Sequence, residues 1–62
     1  MIIIAWWKPY GDAPIKTPQG DVFMFRRYQR VRFYNEYAEQ VGPEQSNVAP
    51  AIAYAMHMGW EL

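Results

Sequence analysis

The stretch Phe25-Arg26-Arg27-Tyr28-Gln29-Arg30-Val31-Arg32-Phe33-Tyr34 decides the fold, because the period of the sequence changes within it. Just before it, Val22-Phe23-Met24-Phe25 is a cluster of β-branched and aromatic residues that suits a pleated, half-buried strand. From about Arg27 onward, Tyr28, Val31, Tyr34, Ala38 and Val41 recur at intervals of three and four, and Gly42-Pro43 supplies a stop. The spacing predicts a helix over 27–41. Asp21 could instead cap a longer helix starting at Val22, but the Val-Phe-Met-Phe cluster favours a strand there.

Upstream, Ile15-Lys16-Thr17-Pro18-Gln19-Gly20-Asp21 places proline and glycine as a type I turn with a bulge requires, so 15–17 and 21–25 read as a hairpin. Residues 2–8, apolar as far as Trp7 and then Lys8, are closed by Pro9, with Gly11, Asp12 and Pro14 after them, which reads as a strand buried on both faces and then a loop. Downstream, Ser46 or Asn47 caps a second helix over about 48–58, where Pro50 is tolerated because it falls in the first turn. Gly59 ends that helix, and Trp60-Glu61-Leu62 returns either as a very short strand or as a tuck beneath the sheet. The expected fold is one α+β domain over 1–62: a small antiparallel sheet, made of the N-terminal strand and the hairpin, packed against two helices.

Sixty-two residues are near the lower limit for a domain that folds alone, and the absence of cysteine removes disulfides as a support. His57 is the single histidine, so a structural zinc cage is not expected and no cofactor is implied. Eleven residues are Phe, Trp or Tyr, side chains that favour both cores and interfaces. Oligomerisation and dense aromatic packing are the remaining supports, and a homo-oligomer, most simply a dimer, is expected.

The second helix strengthens that expectation. Its segment Val48-Ala49-Pro50-Ala51-Ile52-Ala53-Tyr54-Ala55-Met56-His57-Met58 is apolar nearly all round, as in helices enclosed on every side. So short a chain has little material to enclose it, which points to Tyr54, Met56, His57, Met58 and Trp60 as a protein interface.

Charge is segregated although the net is zero. Residues 1–34 hold all six Lys and Arg with Asp12 and Asp21, a balance of +4, and the four glutamates Glu36, Glu39, Glu44 and Glu61 give the rest −4. Four of the basic residues, Arg26, Arg27, Arg30 and Arg32, fall among aromatics. On a helix Arg26, Arg30, Phe33 and Tyr37 would form one stripe, the equipment of a single-stranded RNA or DNA platform. Arginines at the start of such a helix and Glu36 and Glu39 near its end oppose the macrodipole. Nucleic acid is therefore the alternative partner; zero net charge and a pI near 6.5 favour a protein instead.

Chemistry is not expected. One serine, one histidine and no cysteine assemble no nucleophile with its base, and Glu36 with Glu39 reads as a solvated pair. The run Met1–Trp7 lacks the leading positive charges of a secretory signal, and no segment has the length of a membrane span. The expected reading is a complete, cytoplasmic, non-enzymatic accessory protein.

Overall fold

A computed structural model describes residues 5–11 and 13–61. Strands β1 (Lys8–Pro9), β2 (Ile15–Thr17), β3 (Gly20–Arg27), β4 (Arg30–Asn35) and β5 (Gln40–Gln45) form one antiparallel sheet, and α1 (Val48–His57) is the single helix among the described residues. β3 pairs with β4 from Val22 to Arg27, covering all of β4. Its other edge is shared, with β2 on the N-terminal half and β1 on the C-terminal half. β5 lies outside β4.

The α+β class stands, but the two-helix arrangement does not. The segment 27–41 is the end of β3, all of β4, a turn and the start of β5. The reason lies in which positions are buried. Val31 and Phe33 alternate onto the α1 side of the sheet, where both are fully buried, and the three-and-four spacing is incidental to this period of two. Tyr28 and Gln29 form the β3–β4 turn with a positive φ of 52° at Tyr28 alone, the pattern of a type II′ turn. The β4–β5 turn is built by Asn35, whose Oδ1 accepts from the backbone N–H of Tyr37 at 2.9 Å and of Glu39 at 3.0 Å. Gly42-Pro43 is not a helix stop. It occupies a bulge in β5, where the register with β4 shifts between the Val31–Gln45 and Phe33–Val41 pairs.

The hairpin of β2 and β3 has the register Ile15–Val22, Lys16–Asp21 and Thr17–Gly20 around Pro18-Gln19. Among the described residues the N-terminal strand begins at Lys8, since Ala5 and Trp6 lie in a turn; positions 2–4 of the expected strand lie outside the described residues. Pro9 is tolerated in β1 because the strand is an edge.

The core fills one face of the sheet. Ile15, Val22, Met24, Val31 and Phe33 meet Ala51 and Ala55 of α1, and Trp60 closes the end. Two alanines with no exposed surface let the helix lie close over β4 and β5. Asn47 caps α1 by accepting from the Ala49 N–H at 2.9 Å. The other end is a Schellman closure: Gly59 donates to Met56 O and Trp60 to Ala55 O, both at 3.0 Å, with Gly59 at φ 77°. That closure swings Trp60 into the core, edge-on to Phe33 at 5.1 Å. Both expected endings are thereby partly realised, because Glu61 then bridges to Lys16.

A smaller cluster covers the other face. Phe25 is buried there and packs edge-on to Tyr34 at 5.5 Å. The Arg32 guanidinium lies 4.5 Å from the centre of the Trp7 ring, donates to Tyr34 Oη at 3.1 Å and pairs with Glu44 at 2.8 Å. Its pKa is raised, first by the Tyr34 hydrogen bond and then by Glu44.

Candidate binding surfaces

α1 turns Val48, Ala51 and Ala55 inward, which places Ala49, Ile52, Ala53 and Met56 on the opposite side at i, i+3, i+4 and i+7 spacing. Ala49, Ala53 and Met56 are exposed, Met56 by 66%, and Ile52 by 38% at the border. The helix contains no Asp, Glu, Lys or Arg. The five residues expected at an interface separate into two groups. Met56, His57 and Met58 are exposed, as an interface requires. Trp60 is buried, and Tyr54 is half-buried between the rings of Phe33 at 6.1 Å and Trp60 at 5.6 Å. Trp60 belongs to the core, and Tyr54 packs against it. Ile52, Ala49 and Ala53 stand beside Met56 on the outer side, although they were not among the five expected residues.

The edges of the sheet are poorly suited to pairing. β5 is interrupted by its bulge and by Pro43, which has no N–H to donate. On the opposite side β1 and β2 are two and three residues long.

The second surface lies at the end of the sheet formed by β1 and the β3–β4 turn. A groove of about 510 Å³ there is lined by Trp6, Lys8, Tyr10, Arg26, Arg27 and Tyr28, together with Pro9. Trp6 and Tyr28 are exposed by 81% and 82%. Both have positive φ, 69° and 52°, a region that bulky side chains rarely occupy. Arg26 Nε donates to Tyr28 O at 2.9 Å, and the Arg27 guanidinium sits 5.6 Å from the Tyr28 ring centre. Tyr28→Gly removes the side chain that disfavours this φ, and should stabilise the domain by about 0.5–1 kcal/mol in a thermal or urea melt.

The six candidate nucleic-acid residues, four of them expected on one helical stripe, are dispersed by the strands. Arg26 and Arg27 line the groove, whereas Arg30 and Arg32 pair with Glu44 at 3.6 and 2.8 Å. Phe33 is fully buried and has no free ring face for stacking. Tyr37 stands in the β4–β5 turn, where a hydrogen bond with Glu36, before its charge, raises the phenol pKa. Trp6, Lys8 and Tyr10 also line the groove, and they come from a segment distant in sequence that the β1–β3 register brings alongside.

Glu36 and Glu39 are both exposed in the same turn, and Glu39 accepts from Asn35 Nδ2 at 3.0 Å. Among the described residues no group of three or more His, Asp and Glu side chains is placed to hold a metal ion. No helix among them is long and apolar enough to cross a membrane. Comparison with family models, curated proteins and solved structures finds no match to this chain.

Proposed function

We propose that the protein is a non-catalytic interaction module that works through protein–protein contact on the outer face of α1, with a second copy of itself as the first occupant. The observation that carries this reading is the uncharged helix whose Ile52 and Met56 remain open to solvent beside Ala49 and Ala53. The alanines allow a neighbouring helix to approach at the short end of the usual 8–10 Å. The larger side chains supply the apolar contact. Pairing through the sheet edges is opposed by Pro43 and the β5 bulge, which leaves the helix as the favoured contact.

A helix of ten residues is about 15 Å long, so the contact is small and self-association is weak, on the order of micromolar or looser. We place this activity in the cytoplasm as part of the same proposal, and fractionation of cells expressing the chain tests that part. Sedimentation equilibrium tests the contact itself. The wild type is expected to populate dimers as concentration rises, while Met56→Glu stays monomeric with an unchanged melting curve. A wild type that remains monomeric throughout, or a Met56→Glu variant that associates equally well, contradicts the proposal.

A further inference from the structure

The strand register gathers charge of one sign at the groove end of the sheet. Lys8 lies directly opposite Arg26 across β1 and β3, and Arg27 lies opposite Arg30 across β3 and β4. Like charges facing each other across a ladder repel. Arg32 brings a further cation two residues along β4. Glu44 is the carboxylate paired with this group among the described residues, and it is already engaged by Arg30 and Arg32. Lys8, Arg26 and Arg27 form no ion pair among the described residues, and all three line the groove.

Beside these cations the groove presents Trp6 and Tyr28, which are largely exposed, and Tyr10, which is partly so. A partner that satisfies the whole arrangement must carry spaced negative charge and flat aromatic faces free to stack. An acidic peptide supplies the first without the second. A duplex hides its base faces in its own stack, and a lipid headgroup has none.

We propose that this groove binds single-stranded nucleic acid, with Lys8, Arg26 and Arg27 meeting phosphates while Trp6, Tyr10 and Tyr28 stack on unpaired bases. Binding relieves the repulsion between the facing cations, so the ligand also stabilises the fold. The surface is separate from the outer face of α1, and the two contacts are independent.

The test uses the full chain with a thymidine oligonucleotide of about twelve residues. Expected results are quenching of tryptophan fluorescence, a rise in melting temperature, and affinity that falls with salt at a log–log slope of about −2, as three neutralised phosphates require. Tyr28→Gly is the informative variant, because it is expected to fold at least as stably as the wild type. It should bind the oligonucleotide roughly ten-fold more weakly and inorganic polyphosphate unchanged. Lys8→Gln with Arg27→Gln should weaken both ligands and flatten the salt slope. Met56→Glu should leave both unaffected. The proposal is overturned by absence of binding at low salt, or by equal affinity for polyphosphate and oligonucleotide. Preference for duplex or for anionic lipid vesicles, or undiminished oligonucleotide binding by Tyr28→Gly, overturns it as well.

Discussion

Replacing Phe33 by alanine is expected to abolish the cooperative unfolding transition at room temperature. Phe33 is fully buried at the centre of the sheet, edge-on to Trp60 at 5.1 Å and stacked near Tyr54 at 6.1 Å. Truncating a buried phenylalanine costs about 3–5 kcal/mol. The core of a chain this short supplies a net stability of about the same size, so one substitution removes all of it. Phe33→Leu, which keeps most of the volume, should retain the transition with a loss of about 1–1.5 kcal/mol. Circular dichroism through a urea series checks both variants. A Phe33→Ala protein that melts within a few degrees of the wild type would show that α1 and Trp60 do not depend on this ring.

Gly42→Ala is the second large effect, and it separates two physical causes. Gly42 has φ 73° in the β5 bulge, and a Cβ there would lie 2.5 Å from Tyr54 Oη and 2.9 Å from its Cζ. Gly59 has a similar φ of 77°, yet a Cβ added there meets nothing within 4 Å. Gly59→Ala therefore reports the backbone penalty alone, about 1–2 kcal/mol. Gly42→Ala adds the displacement of Tyr54 from its place between Phe33 and Trp60, for a total of about 2–4 kcal/mol. Equal losses for the two variants in parallel denaturant melts would mean that Tyr54 yields without cost, and that the bulge is not packed against the helix.

The contrast between what could and could not be read from the residues follows from where the signals sit. The Pro18-Gln19-Gly20 turn, the Asn47 cap and the Gly59 closure each depend on the local chemistry of a few adjacent residues, and all three occur where the sequence puts them. The segment 27–41 has no such local mark at its first turn. Tyr28-Gln29 holds a positive φ without glycine or asparagine, so the turn is imposed by the pairing of β3 with β4. Asn35 was a turn signal within that segment, passed over because Tyr28, Val31, Tyr34, Ala38 and Val41 happen to share a helical spacing. One sign did argue against a helix: its arginines and glutamates would have faced the wrong ends of the dipole. In the sheet that conflict disappears. Glu36 and Glu39 fall in the β4–β5 turn, and Arg30 and Arg32 pair with Glu44 of β5.

The candidate surfaces were legible to different degrees for the same reason. Met56, His57 and Met58 lie on or just after one helix, and their exposure follows from its period. The groove joins residues 6–10 to residues 26–28 through the β1–β3 register, which no local pattern specifies. Arg26 and Arg27 could be singled out by their cluster, but their companions Trp6, Lys8 and Tyr10 could not.

The central claim is that the outer face of α1 is the working contact and that a second copy can occupy it. An amide NMR dilution series tests it most directly, since it reads every backbone position at once. Concentration-dependent shifts confined to 49–58, largest at Ile52, Ala53 and Met56 and absent from β5 and the β3–β4 turn, are the predicted result. Spectra that superimpose at all concentrations, or shifts centred on Gln40–Gln45, would contradict it.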